Sequence, residues 1–299
     1  LACAAAFPLL AHAVGLPYLV RVGGVVGLFM ILGLGLNFTL GYVGLFDLGF
    51  IAFYALGAYT TAIAMHARAP APLAILLAVV VALVLRALLG LTILRLRGDY
   101  LAVVTMGFGE IARLVINNLD SLTNGPKGMQ VRPWRPLSLI AADPNIQYYL
   151  LILAGVAAGV VASRRIEDSR VGRAWVAIRE DEIAARLSGI PVREYKLLAF
   201  TLSAAFAGLA GALFALWEQF VTPESCLLLE SIQVVSIIVL GGMGSMGGSV
   251  VAAFVIGIAQ SLLTLWMNPQ RVAIAIFGIM IVVLIIRPRG FFGREGVLE

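Results

Sequence analysis

The sequence predicts an all-α, polytopic integral membrane protein. It forms a single domain over residues 1–299, with about ten transmembrane helices and one amphipathic helix outside the bilayer. Three observations lead there. Hydrophobic residues make up 61% of the chain and charged residues only 12%, about half the charge of an ordinary soluble domain. The apolar runs are many and close to the roughly 20 residues that cross a bilayer as a helix. No series of ~10-residue alternating segments marks an outer-membrane barrel. Glycine, at 32 residues, recurs inside the apolar runs, where small side chains let helices approach closely.

Hydropathy and turn signals place the spans at about 3–20, 23–45, 48–66, 72–94, 100–119, 147–163, 197–221, 228–243, 248–266 and 271–287. The first run reads as a retained span rather than a cleaved signal. The stretch 228–243 is short and ends in the glycine-rich run Gly241-Gly242-Met243-Gly244, so it reads either as a full span or as a re-entrant one. Non-helical backbone at that depth is tolerated only where protein or a cavity surrounds it. Gly41–Gly49 and Gly241–Gly248 are both glycine-rich turns between spans, a likeness too weak to define a repeat.

Orientation follows from the positive-inside rule. With both termini cytoplasmic, the inner side carries Arg95, Arg97, eight basic residues between 164 and 196, Arg287, Arg289 and Arg294, thirteen in all. The outer side carries Arg21, Arg68, Lys127, Arg132, Arg135 and Arg271, six in all. This topology accounts for the net charge of +5, and no nucleic acid partner is implied. Residues 120–146 then lie outside, with Trp134, Tyr148 and Tyr149 suited to a membrane interface. Cys3 and Cys226 have neither metal nor redox spacing.

The segment 164–196 concentrates eight of the 21 Lys and Arg in an otherwise apolar chain. Val176, Ile183, Leu187 and Ile190 are spaced by 7, 4 and 3, which puts them on one stripe at 3.6 residues per turn. Arg179, Glu182 and Arg186 flank that stripe. Gly189 and Pro191 end the helix, through a permissive backbone and a missing donor. Such a helix either rests on the membrane surface and its lipid or inserts into a groove on a partner.

Ile183-Ala184-Ala185-Arg186-Leu187-Ser188-Gly189 resembles the EAA-x-x-x-Gly coupling loop of bacterial ABC importer permeases, with Glu182 one position early. Arg97-Gly98-Asp99-Tyr100-Leu101-Ala102, Thr105-Met106-Gly107-Phe108-Gly109-Glu110-Ile111 and Asn117-Asn118 look like the M-type permease subunit of branched-chain amino acid importers. So do Thr123-Asn124-Gly125-Pro126-Lys127-Gly128, Gly172-Arg173-Ala174-Trp175 and Arg287-Pro288-Arg289-Gly290, all in the expected order. Asn124 stands where relatives carry Gly. The resemblance implies a permease subunit of the bacterial inner membrane. Its partners would be a second related permease, two cytoplasmic ATP-binding subunits and a periplasmic or lipid-anchored solute-binding protein. It implies that Arg173, Val176, Arg179, Glu182, Ile183, Ala184, Ala185, Leu187 and Gly189 engage an ATPase. It also implies branched-chain amino acids as solutes, with urea or short amides as the alternative.

The chain has no G-x-x-x-x-G-K-[ST] phosphate loop. ATP and Mg are therefore expected on partner chains, with no cofactor, no metal and no catalytic residue here. An ion-coupled secondary carrier would show paired broken helices, and the turn at 241–248 supplies only half of that pattern. HExxH and G-x-S-x-G are both absent, which argues against an intramembrane enzyme.

Charges inside spans cost ~2.5–3.5 kcal/mol on insertion scales and face the bundle interior. Asp47, Arg86, Glu110 and Arg113 are such candidates, and Thr105, Asn117 and Asn118 add hydrogen-bonding capacity. Arg86 lies nine residues before Arg95 and Glu110 eleven after Asp99, so at ~1.5 Å per residue they reach similar depth in a hairpin. The sequence thus predicts an Arg86–Glu110 pair across that hairpin, or a Glu110–Arg113 pair along one helix. Asp47, in a turn, is expected to cap the following helix. Glu218 and Glu230 are placed near the outer surface, solvated or facing the binding protein. His12 and His66 read as interfacial.

Overall fold

The computed structural model describes residues 18–94, 99–134, 143–226, 228–287 and 290–292. These fold almost entirely as helix. In chain order they are α1 (Tyr18–Leu36, continuing as a π-helical turn over Asn37–Tyr42), α2 (Phe50–His66), α3 (Ala71–Ile93) and α4 (Asp99–Asn118). There follow α5 (Pro144–Glu167), α6 (Arg170–Glu180), α7 (Glu182–Leu187), α8 (Val192–Glu218), α9 (Leu228–Gly241), α10 (Met246–Leu263) and α11 (Pro269–Ile286).

Six of these are long and apolar enough to cross a membrane: α1 with its π turn, α3, α4, α5, α8 and α10. Helices α2, α9 and α11 are apolar but shorter. The nine match the expected spans from 23–45 onward within a few residues. The expected span 3–20 lies outside the described residues except for its last three positions, as do Cys3, His12, Arg95, Arg97, Arg135, Arg289 and Arg294. Helix α9 runs unbroken for 14 residues until Gly242, whose φ of 96° stops it.

Local chemistry sets the helix starts. Proline begins α5 and α11, where its missing N–H costs nothing. The Asp143 side chain accepts from the Asn145 amide, and Ser245 accepts from the Gly248 amide, capping α5 and α10. At the opposite end of α8, Gln219 takes a left-handed conformation (φ 57°). That turn feeds a two-residue ribbon, Phe220–Val221 (β2), paired antiparallel with Met129–Gln130 (β1).

Helix α8 is the centre of the bundle and packs along α2 and α3. The approach is close because glycine faces backbone. A Cβ on Gly211 would stand 1.9 Å from the Tyr54 carbonyl oxygen, and one on Gly57 2.4 Å from that of Gly208. Around this crossing Phe50, Phe53, Leu213, Ile237 and Ile238 form the main core. The outward face of α3 is mainly aliphatic, with Leu76, Val80, Val84 and Leu88 exposed along it, as suits contact with lipid.

Candidate functional site

The segment 164–196 projects from one end of the bundle as two short helices rather than the single one expected. Asp181 is the reason. Its backbone is extended (φ −153°, ψ 110°), and its carboxylate accepts from the Ile183 and Ala184 amides at 2.7 and 2.9 Å. It therefore ends α6 and caps α7. Ser169 caps α6 in the same way through the Val171 and Gly172 amides. The single expected stripe accordingly divides. Val176 is half-buried beside Trp175, whereas Ile183 and Leu187 are 71% and 84% exposed. These two side chains lie one turn apart on α7, with Ala184 exposed beside them and only Ala185 buried. Gly189 closes α7 with φ 82°, its amide donating to the Arg186 carbonyl. Arg173 is exposed and donates to the Asp168 carbonyl.

The exposed pair stands on a firmly anchored base. Trp175 is fully buried, packs in a tilted arrangement against Phe38 and Tyr42 of the π turn (5.6 and 6.4 Å between ring centres), and donates its indole N–H to the Tyr195 carbonyl. Glu182 accepts from Lys196 at 2.7 Å and Arg186 at 3.1 Å. Arg179, expected to flank the outward stripe, turns inward instead. Its Nη1 donates to the Gly41 carbonyl at 2.5 Å and the Met243 carbonyl at 3.3 Å. Burial pulls its guanidinium below the ordinary arginine value. Asn37, itself buried, accepts from the Gly244 amide at 3.2 Å. The two glycine-rich turns are thus brought together, and α6 is tied to both. The sequence reading passed over Asn37. The only available signal was a polar residue just before the first glycine turn in an apolar helix.

The expected Arg86–Glu110 pair does not form. Residues 43–49 leave helix geometry and carry Asp47 into the bundle, where it is fully buried and pairs with the equally buried Arg86. The other Asp47 carboxylate oxygen accepts from the Gly49 amide, ahead of α2. The Arg86 guanidinium lies 3.7 Å over the Phe200 ring and 4.5 Å from that of Phe53. Helical depth alone matched Arg86 to Glu110; the non-helical lead-in to α2, invisible to a depth count, supplied a nearer acid. Thr105 is buried against that same lead-in: its hydroxyl accepts from the Leu48 amide and donates to the Ala102 carbonyl. A Cβ on Gly49 would meet the Thr105 carbonyl at 2.2 Å.

Glu110 pairs instead with Arg113 along α4, the second of the two expected arrangements. The pair sits on a face the rest of the chain leaves open, 51% and 27% exposed, in line with Met106 and Val103. Glu110 is eleven residues into α4, or ~16 Å from its start, near the middle of a ~30 Å hydrocarbon core. A charge pair at that depth must face water, a polar passage or another protein rather than acyl chains. Asn117 is half-buried one turn beyond, and Asn118 donates to the Leu114 carbonyl. At the other end of the bundle, Glu218 pairs with Arg21 at 2.7 Å, and His66 is exposed at the end of α2.

Residues 18–285 match the family model described as branched-chain amino acid transport system, permease component. Over 315 aligned residues the chain is 39% identical to the high-affinity branched-chain amino acid transport system permease protein LivM of Escherichia coli, covering 94% of this chain and 73% of that protein. It is 25% identical to the permease protein BraD of Pseudomonas aeruginosa over 90% of this chain and 92% of that one. The permease protein LivH of Escherichia coli is 32% identical over 44% of this chain and 42% of its own length. No solved structure matches the chain.

Proposed function

The chain belongs to the branched-chain amino acid transport permease family, and on that premise we propose how it works. It is a permease subunit of an ATP-driven importer of leucine, isoleucine and valine, itself not an enzyme. It is one domain over 1–299 with about ten spans, set in a bacterial inner membrane with both termini in the cytoplasm. A second, related permease completes the passage, two cytoplasmic ATP-binding subunits hold ATP and Mg, and a solute-binding protein delivers the solute on the outer side. The match to both LivM and LivH supports a pair of unlike permeases.

The observation that carries the coupling role is α7. Ile183 and Leu187 stand exposed side by side, the arrangement a partner's groove takes as i, i+4 anchors. Their base is rigid, so a push on α7 reaches the π turn and the second glycine turn through Trp175 and Arg179. The open α4 face bearing Glu110 and Arg113 lines the passage toward the second permease. Co-purification of the tagged chain in mild detergent tests the coupling role. Wild type should retain phosphate-loop ATPases, and Ile183→Asp/Leu187→Asp should lose them while keeping the second permease. Uptake by reconstituted complexes, with leucine set against urea, tests the solute. Retention of the ATPases by the double variant, or uptake driven by an ion gradient without ATP, would overturn the proposal.

A further inference from the structure

At the bundle end opposite α6 and α7, helices α1, α2, α8, α9 and α10 line a half-open cavity of about 230 Å³. That is far above the ~10–15 Å³ needed to hold one water. Its walls are mostly apolar and aromatic, with Phe29, Ile51, Phe214 and Trp217 prominent, and it lies entirely within this chain. Besides Tyr54 and Trp217, whose rings each carry one polar atom, the side chains of Glu218, Glu230 and Gln260 line it.

Their bonding is unequal. Glu218 is satisfied by Arg21, both of whose contacts to it lie within 3 Å. Arg21 in turn lies 5.8 Å over the Trp217 ring. Glu230 has no hydrogen-bond or ion-pair partner among the described residues. The side-chain oxygen of Gln260 is buried and likewise without a partner. One cation and two carboxylates leave the site one positive charge short, and both orphaned groups are acceptors. Water would satisfy Gln260 but would not neutralise Glu230. An ammonium does both, since it brings a charge and three donors, and aromatic walls favour a cation further.

We propose that this cavity binds a primary aliphatic ammonium, with the ammonium between Glu230 and Gln260 and the hydrocarbon against Phe29, Ile51 and Phe214. Two sources share that chemistry: a free branched-chain amino acid on its way in, and the amine headgroup of a membrane lipid.

The complete complex, in nanodiscs free of amine lipids, is assayed for equilibrium binding of radiolabelled 3-methylbutylamine. Saturable binding is expected, with no competition from 4-methylpentanoate, which carries a similar branched tail without the ammonium. Glu230→Gln should weaken it by about tenfold or more, near 1.4 kcal/mol. Glu230→Asp should retain binding, and Gln260→Leu should weaken it less. Competition by leucine identifies the solute as the source; competition by phosphatidylethanolamine without leucine identifies the lipid. Thermal unfolding of each variant separates lost binding from lost folding. ATP-driven leucine uptake by the same complexes reports separately on the transport role. Absence of saturable binding, equal competition by the carboxylate, or binding unchanged in a folded Glu230→Gln complex would overturn the proposal.

Discussion

The Asp47–Arg86 pair should be a keystone of stability whose cost appears only when it is broken by halves. Asp47 is 0% and Arg86 1% exposed, so water screens neither charge. Asp47→Asn leaves the guanidinium in the core between two aromatic rings. Removing one partner of a buried pair costs ~3–5 kcal/mol, whereas replacing both with apolar groups of similar volume is often neutral. Against the ~5–15 kcal/mol that holds a typical domain together, that is a large fraction. At ~2–4 °C per kcal/mol for a domain of this order, Asp47→Asn should lower the unfolding midpoint by about 6 °C or more. Adding Arg86→Met to Asp47→Asn removes the stranded charge and should recover part of the loss, the buried amide of Asn keeping the rest. Arg86→Lys should not match wild-type stability, because a compact ammonium on a flexible stem does not reproduce the guanidinium placed 3.7 Å over the Phe200 ring. Thermal unfolding of the detergent-solubilised complex, followed by tryptophan fluorescence, measures all three against wild type. A single variant within about 2 °C of wild type, or a double variant no more stable than the single, would refute the reasoning.

Arg179→Ala removes the link from α6 to the Gly41 and Met243 carbonyls while leaving Ile183 and Leu187 untouched. ATPase subunits should still co-purify and hydrolyse ATP, but leucine uptake per ATP should fall several-fold; unchanged stoichiometry would exclude Arg179 from transmission. Glu110→Gln leaves Arg113 without its carboxylate partner on the open face of α4. Uptake or assembly with the second permease should drop sharply, and wild-type behaviour in both would remove α4 from the passage.

What was legible in the sequence follows from which signals are local. Apolar runs of span length marked the nine apolar helices described, because length and hydropathy need no tertiary context. The exposed Ile183 and Leu187 were recoverable from spacing, since i, i+4 residues share a face wherever the helix lies. The break at Asp181 was not, although its sequence sign was present: an Asp followed by Glu182 before an apolar pair is a helix start as much as a helix interior. The partners of charged residues were the least legible. Depth gave Arg86 one acid, Glu110, and left Asp47 as a cap in a turn; the outcome hung on how the non-helical backbone of residues 43–49 carries that turn inward, which spacing does not reveal. The same unwinding carries a mechanical meaning. A straight helix from α1 into α2 would leave no carbonyl of Gly41 free for Arg179 and no place for Asn37 to meet Gly244. The π turn and the glycines that follow it open that backbone. The charged segment outside the bundle therefore grips its interior at the one place where α1 stops being regular.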